Sequence, residues 1–297
     1  MKKVLLVIDT AGWCFNNIAD QIVKAYGDRY EFEIVTTIPE EGMTADIALV
    51  FWWKTALNNL QKNRLHVKRL CVGMYDHWSV PAMPHEFARL VPQIDCLFVA
   101  NDILAEDFRL RTVNLPIYVT EDGVDLERFT PQPFPKEFTV GWTGNRVYES
   151  IGLGDLKGVR LIEEACKMAG VPLLIQDKQV RQLRQDQMAK EFYAKISCYV
   201  CASESEGTPN PVLEALACGR PAVSTNVGIV PKLIVNEHCG CIIDRTAEDI
   251  ARGIDEFHFT SGRLGPTWLL LSVGKKHLAQ WAWSEKVNAF LPVLEGE

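Results

Sequence analysis

Apolar residues in the first half of the chain fall into short continuous runs separated by amphipathic stretches. Continuous apolar runs are typical of parallel strands that are covered on both faces, whereas half-exposed strands alternate. The runs cover residues 4–9, 32–37, 47–52, 70–75 and 96–100, and helix-like spacing lies between them at residues 16–25, 57–65 and 102–110. This alternation of strand and helix predicts a doubly wound parallel sheet.

The same alternation starts again after a proline-rich stretch at residues 130–135, which reads TPQPFP. Its prolines argue against a helix and against a central strand, so this stretch is the predicted linker. Strand-like runs follow at residues 138–142, 172–176, 198–202, 222–225 and 241–243, with helix-like stretches at residues 156–169, 186–194 and 211–218.

The two halves together predict an α/β protein of two Rossmann-like domains, residues 1–130 and residues 131–282. A helical pattern from residue 283 to about residue 297 is expected to pack back across the hinge onto the first domain. Ligands of parallel sheets bind outside the carboxyl ends of the strands. We therefore expect the functional site in a cleft between the two domains.

Composition narrows the class of protein. The chain has 297 residues and a net charge of −7, which argues against a nucleic-acid binder and gives no support for binding to anionic membranes. No apolar run approaches the roughly 20 residues that span a bilayer. The apolar run at the start ends at Asp9 after only five residues, which favours a first strand over a signal peptide.

The nine cysteines are scattered through apolar segments, which indicates free thiols in a reducing cytosol and predicts a cytoplasmic protein. Cys198 and Cys201 have CxxC spacing inside a predicted strand, where an odd separation places them on opposite faces. A second group, His238, Cys239 and Cys241, lacks a fourth ligand nearby. Both groups are interpreted as buried thiols rather than as zinc sites.

The segment from Ser203 to Gly219, SESEGTPNPVLEALACG, follows a predicted buried strand and opens a predicted helix. Asn210 suits the N-cap, Pro211 the first helical position and Gly219 the C-terminal end of the helix. Unpaired backbone N–H groups and the helix dipole then create an anion site that suits a diphosphate.

Two glutamates, Glu206 and Glu214, flank this predicted anion site. An isolated pair of this kind is more often a surface loop residue and a stabilising acid in the first helical turn. Carboxylates next to a diphosphate are poor phosphate ligands but good acceptors for paired hydroxyls of a sugar or a ribose. The whole run therefore favours a nucleotide-sugar site.

The segment resembles the paired-glutamate signature of the retaining GT-B glycosyltransferases of family GT4, the glycosyl transferases group 1. Seven residues separate Glu206 from Glu214, as in that family. Other stretches that resemble the family occur in the correct order: DGVDLERF at 122–129, VGWTG at 140–144, DLKG at 155–158, RPAVSTNVG at 220–228 and WSE at 283–285.

The resemblance implies roles for residues of the second domain. Glu206 would bind hydroxyls of the donor sugar and Glu214 the ribose of the nucleotide. The backbone of Gly207, Thr208 and Asn210 would approach the sugar and the phosphates.

Two cations are implied as well. Lys157 would neutralise the leaving diphosphate. The family usually has an arginine directly after the glycine loop, where this chain has Asn145, so we take Arg146 as the second phosphate cation.

The resemblance also implies transfer with retention of configuration, front-face geometry and no metal or other cofactor. The residues taken as catalytic are Glu206, Lys157 and His77. His77 is included because it follows the fourth strand, where relatives carry a histidine beside the reacting sugar. Gly12, after the first strand, would lie near the donor phosphates. Trp53 and Trp78 are candidate acceptor contacts.

The function predicted from the sequence is transfer of a sugar from a UDP- or GDP-sugar to a hydroxyl of a glycan, a lipid-linked or a small-molecule acceptor. A nucleotide-sugar epimerase and a non-catalytic nucleotide-sugar binder remain alternatives. A dinucleotide oxidoreductase is the weakest, because no G-x-G-x-x-G follows the first strand.

Overall fold

The computed structural model describes residues 1–112, 114–146, 154–181, 183–264 and 275–296. These residues form two compact units. The first comprises Met1–Gly123 and Trp283–Glu297, and the second comprises Val124–Ala282.

The first unit is built on a six-stranded sheet in which every described strand pair is parallel. Its strands are β1 Lys2–Val7, β2 Tyr30–Val35, β3 Met43–Val50, β4 Leu65–Met74, β5 Cys96–Val99 and β6 Ile117–Val119. Their order across the sheet is β2-β1-β3-β4-β5-β6.

Helices cover both faces of this sheet: α1 Cys14–Tyr26, α2 Trp53–Gln61, α3 Ser79–Ala82, α4 Pro84–Leu90 and α5 Asp102–Arg111. Successive residues of a strand point to opposite faces. Leu5 and Val7 accordingly lie in one apolar core, and Val4 and Leu6 lie in another. The strand is apolar without interruption because both of its faces are buried.

The second unit contains a five-stranded parallel sheet of order β11-β10-β9-β7-β8. The strands are β7 Val140–Gly144, β8 Leu173–Asp177, β9 Cys198–Cys201, β10 Ala222–Ser224 and β11 Gly240–Ile242. The helices are α6 Val159–Met168, α7 Gln185–Glu191, α8 Asn210–Ala217, α9 Val230–Leu233, α10 Ala247–Leu264 and α11 Lys275–Ala279.

The final segment of the chain belongs to the first unit and consists of α12 Trp283–Lys286, a 3₁₀ turn Val287–Phe290 and α13 Leu291–Glu295. Phe290 and Val293 are fully buried in the core on one face of the first sheet.

The prediction of two parallel-sheet α/β units is confirmed, and each predicted strand corresponds to an observed one. Strand β6 was not predicted, because three residues give too little periodicity to detect. Helix α10 was not predicted either.

Cys198 and Cys201 lie in separate cores on opposite faces of the second sheet, as their spacing predicts. Among the described residues, no group of three His, Cys, Asp or Glu side chains could hold a metal ion.

The proline-rich stretch does not mark the boundary between the units, which lies after Gly123. Arg220 explains why the prolines belong to the second unit. Its guanidinium donates to the carbonyls of Gln132 (3.1 Å) and Pro133 (2.6 Å) and lies 4.2 Å from the ring centroid of Phe134. The boundary predicted at residue 131 is therefore moved to residue 124.

No helix within the described ranges is long and apolar enough to cross a membrane.

Candidate functional site

The loop between β9 and α8 carries the paired glutamates. Helix α8 begins at Asn210 and is preceded by Pro209, whose backbone (φ −74°, ψ 72°) is not helical. The prediction of Asn210 as the N-cap is therefore wrong by one position, because Pro209 ends the loop and Asn210 already has the helical conformation. Gly219 follows the helix with a φ of +73°, as expected for a C-terminal glycine.

Glu206 is held by two neighbours at one oxygen. Lys157 Nζ lies 2.6 Å from Glu206 Oε1, and Ser203 Oγ donates to the same oxygen at 2.7 Å. Thr225 Oγ1 in turn donates to the Ser203 carbonyl at 2.7 Å. The side chains of Lys157 and Glu206 are only 23% and 17% exposed, so this charge pair is partly shielded from water.

Local structure explains how Lys157 reaches Glu206. The Asp155 carboxylate accepts the N–H groups of Val159 (2.8 Å) and Arg160 (2.9 Å) and so caps the start of α6. Between Asp155 and the helix, Gly158 has a φ of +66°, and a Cβ there would lie 2.2 Å from the Ala202 carbonyl oxygen. Only glycine fits this close approach to the end of β9.

A second glycine supports the glutamate loop from the other side. Gly228 has a φ of +52°, and a Cβ there would lie 2.5 Å from the Gly207 carbonyl oxygen and 3.0 Å from Pro209 Cδ. This contact explains the glycine that ends the stretch 220–228. Within the loop, Gly207 is buried, and Thr208 Oγ1 is buried without a hydrogen-bond partner among the described residues.

Glu214 is almost completely buried, with 9% of its surface exposed. Tyr193 Oη donates to Glu214 Oε2 at 2.7 Å. Burial raises the pKa of Glu214, and the hydrogen bond from Tyr193 and the charge of Lys178 oppose that rise. Its carboxylate does not join the Lys157–Glu206 pair, so the two glutamates have separate surroundings.

Arg146 follows β7 and pairs with Glu163 of α6, with Nη2 and Oε1 2.5 Å apart. Its guanidinium lies 6.0 Å from the ring centroid of Trp142. It lines a cavity of about 340 Å³ at the ends of β7 and β8, together with Ile175, Gln176, Asp177, Val180 and Arg181.

The remaining predicted residues lie in the first unit. Gly12 is exposed with a φ of +77°, and its N–H donates to Asn16 Oδ1 at 2.9 Å. His77 is half-buried in the loop after β4, and burial lowers its pKa against the opposing charges of Asp107 and Asp76.

The two tryptophans differ in their surroundings. Trp53 is 1% exposed, donates from Nε1 to Ser79 Oγ at 2.8 Å and packs edge-on against Phe87. It therefore fills the core and presents no open face on which a sugar could stack. Trp78 is half-buried beside His77.

Sequence reasoning missed Ser203, Tyr193 and Asp155. The position of Ser203 three residues before Glu206, in a turn, is a signal that could have been used. Tyr193 gave no such signal, because it lies in a 3₁₀ turn, Tyr193–Lys195, 21 residues before Glu214.

Comparisons with known proteins give one sequence match and several structural ones. Residues 173–258 match the family model described as glycosyl transferases group 1. No curated protein matches the sequence of the chain.

The three structural matches that follow each cover 100% of this chain. A sucrose-phosphate synthase from Thermosynechococcus elongatus has a TM-score of 0.75 at 14% identity over 100% of this chain and 99% of that one. HepE from Anabaena, crystallised with UDP and glucose, has a TM-score of 0.74 at 14% identity over 100% of both chains. A lipopolysaccharide outer core galactosyltransferase, WaaB, has a TM-score of 0.65 at 10% identity over 100% and 99%.

These matches confirm the predicted GT-B fold, and the sequence match lies within the unit that holds Glu206 and Glu214. The chain thus has the GT-B fold, and its residues 173–258 match the family model of the glycosyl transferases group 1.

Proposed function

We propose that the protein transfers a sugar from a nucleoside diphosphate sugar to a hydroxyl acceptor, and that the unit Val124–Ala282 binds the donor. The observation that carries this proposal is the partly buried Lys157–Glu206 pair beside the loop that opens α8. The pair places a cation that can stabilise the diphosphate next to a carboxylate that can accept hydrogen bonds from hydroxyls of the donor sugar. The match of residues 173–258 to glycosyl transferases group 1 supports it, as does the UDP and glucose bound by the HepE structure.

The chemistry of the pair fits departure of a diphosphate. The leaving group gains negative charge as the glycosidic bond breaks, and a positioned ammonium group at Lys157 stabilises that charge. The N–H groups at the start of α8 add a further positive potential. Since Lys157, Arg146 and the helix supply this charge, the proposed reaction is independent of metal.

Glu206 binds and orients the sugar in this proposal and is not a nucleophile. Its hydrogen bond from Ser203 and its ion pair with Lys157 hold the carboxylate in place before the donor arrives. Carboxylates accept hydrogen bonds from adjacent sugar hydroxyls. We propose retention of configuration by front-face transfer, in which the departing phosphate takes the proton of the acceptor.

The acceptor side is proposed for the first unit, around His77 and Trp78. The lowered pKa of His77 keeps its imidazole neutral at neutral pH, so it can both donate to and accept from a hydroxyl. Trp78 offers a partly exposed ring for contact with the acceptor. Trp53 has no part in this proposal because it is buried.

The test is release of free nucleoside diphosphate from a panel of UDP- and GDP-sugars, with and without EDTA. The variants are Glu206→Ala and a matched control, Glu204→Ala, in which an exposed glutamate of the same loop is removed. We expect slow donor hydrolysis that persists in EDTA, is lost in Glu206→Ala and is retained in Glu204→Ala.

Other outcomes would replace the proposal. Interconversion of donor sugars without release of nucleotide would indicate an epimerase. Binding without any turnover, with acceptor mixtures present, would indicate a non-catalytic nucleotide-sugar binder. Activity that disappears in EDTA would overturn metal independence alone.

A further inference from the structure

Tyr193 lies in the 3₁₀ turn between α7 and β9, and its side chain is completely buried. Its ring packs edge-on against Phe192, with ring centroids 5.0 Å apart, and against Phe129 at 5.9 Å. These contacts fix the ring, and therefore fix the position of the hydroxyl group.

The Tyr193 hydroxyl has two acceptors within reach. Glu214 Oε2 lies at 2.7 Å and the Pro211 carbonyl oxygen at 3.3 Å. A phenol has one proton to donate, and the shorter contact to a carboxylate is the stronger hydrogen bond. The hydroxyl is thus directed at Glu214, the carboxylate proposed to bind the ribose.

We propose that Tyr193 is a positioning residue for the donor nucleotide: its hydroxyl donates to the Glu214 carboxylate, fixes its orientation and favours its charged form for the ribose hydroxyls. This inference rests on the proposed function. It assigns to a buried core tyrosine a part in donor binding without any contact with the donor.

The charges around Glu214 explain why the hydroxyl matters. Burial raises the pKa of Glu214, and the hydrogen bond from Tyr193 is the largest effect that lowers it. Gln185 from α7, Lys178 after β8 and Arg128 also lower it.

Two further titratable groups face Glu214: Tyr199 from β9 and Cys218 at the end of α8. Burial raises the pKa of both and the charge of Glu214 adds to that rise, so they remain neutral at neutral pH. Without the Tyr193 hydroxyl, the rise in the pKa of Glu214 caused by burial is opposed by one hydrogen bond fewer, so this pKa rises further. A protonated carboxyl group has lost the charge that strengthens its hydrogen bonds to ribose.

The variant Tyr193→Phe tests the hydroxyl alone, because the phenyl ring retains the packing against Phe192 and Phe129. The matched control is Tyr26→Phe in the first unit, since Tyr26 is also buried and its hydroxyl donates to a backbone carbonyl, that of Val287, at 3.2 Å. Both variants lose one buried hydroxyl, but only one of them loses a bond to Glu214.

The measurement is calorimetric titration with UDP and with GDP from about pH 5 to about pH 9. For Tyr193→Phe we expect an affinity lower by about tenfold, the usual effect of one hydrogen bond to a charged group. We also expect the midpoint at which affinity is lost on acidification to move to higher pH. Tyr26→Phe should retain both wild-type values. An unchanged midpoint in Tyr193→Phe would overturn the inference.

A double variant tests whether Tyr193 acts through Glu214. In a Glu214→Gln background there is no carboxylate to ionise, so adding Tyr193→Phe should cause little further loss of affinity. Losses that simply add would mean that the Tyr193 hydroxyl acts independently of Glu214, and the positioning role would be rejected.

A measurement without nucleotide separates this inference from the proposed function. The carboxyl carbon of Glu214 is titrated by NMR in protein labelled with ¹³C-glutamate and assigned with Glu214→Gln. Tyr193→Phe should raise its titration midpoint, and an unchanged midpoint would refute the link between the two residues. A wild-type protein that binds neither UDP nor GDP would refute the proposed function instead, whatever the NMR titration shows.

Discussion

Lys157 and Glu206 are 49 positions apart in the chain, yet their side chains form an ion pair of 2.6 Å. The topology of the second sheet accounts for the pairing. Lys157 lies in the connection that follows β7, and Glu206 lies in the connection that follows β9, which is the neighbouring strand. Because the strands are parallel, both connections begin at the same edge of the sheet.

Replacement of Lys157 should affect the chemical step more than donor binding. In Lys157→Met the charge that stabilises the departing diphosphate is lost, so we expect kcat to fall by about 10²–10³-fold with a smaller change in KM. Steady-state kinetics with the preferred donor measures both. The control is Lys167→Met, which removes an exposed lysine near the end of α6. Equal kinetics in the two variants would refute the role of Lys157.

Gly228 should be required for the shape of the glutamate loop. In Gly228→Ala the new Cβ would lie 2.5 Å from the Gly207 carbonyl oxygen, so the loop that carries Glu206 must move. We expect nucleotide affinity to fall by more than tenfold, measured by calorimetric titration.

The control for Gly228→Ala is Gly170→Ala. Gly170 also has a positive φ, +64°, but a Cβ there would have no atom within 4 Å among the described residues. The control therefore carries the same backbone strain, about 1 kcal/mol, without the steric contact. If both variants bind nucleotide equally well, contact with the loop is not the reason for glycine at position 228.

The sequence predicted the strands that carry the site better than the side-chain contacts within it. Strands buried on both faces leave continuous apolar runs, so the strands that precede Lys157 and Glu206 could be predicted from the pattern, but that these two strands are neighbours appears only in the structure. The hydrogen bond between Tyr193 and Glu214 could not be predicted, because it depends on how a 3₁₀ turn packs against a helix residue 21 positions later. Burial of Trp53 was missed for a related reason: an indole after a strand can face the core or the solvent, and periodicity does not decide between them.

The boundary between the units shows a second limit of the pattern. Three prolines within six residues indicate a linker, and the stretch is indeed without helix or strand. Its attachment to the second unit depends on Arg220, 85 or more positions later in the chain. Such a tertiary contact is not visible in local composition.

Glu214→Gln should make the protein more stable while weakening nucleotide binding. The pKa of Glu214 is raised in the folded state, so its contribution to stability is present at acid pH and is lost as pH rises through that pKa. Removal of the buried charge should raise Tm by about 2–4 °C near pH 7.5, which corresponds to about 1 kcal/mol in a domain of this size.

The gain in Tm should shrink towards about pH 4, where Glu214 is protonated and resembles glutamine in charge. Thermal denaturation across this pH range is the measurement, and Glu164→Gln, which alters an exposed glutamate of α6, is the control. Nucleotide affinity should fall by about tenfold in Glu214→Gln because a neutral amide accepts ribose hydrogen bonds less strongly. A lower Tm at neutral pH would contradict the assignment of a destabilising buried charge.

Arg220 should be the most sensitive arginine for the stability of the second unit. It is completely buried, and besides Gln132 and Pro133 it donates from Nε to the Tyr193 carbonyl at 2.8 Å. Burial lowers its pKa to about 10, so the guanidinium is still charged at neutral pH. Arg220→Ala leaves three carbonyl acceptors without their donor, and we expect a loss of about 3 kcal/mol or more.

Arg220→Lys should recover little of this stability, because one ammonium group cannot reproduce the planar fork that reaches three carbonyls and covers the Phe134 ring. Arg252→Ala is the control, since the side chain of Arg252 is 73% exposed and its ion pair with Asp249 should contribute less than about 1 kcal/mol. Thermal denaturation gives the stability, and hydrogen exchange at residues 130–135 shows where it is lost. Full rescue by lysine would mean that the positive charge matters and the fork geometry does not.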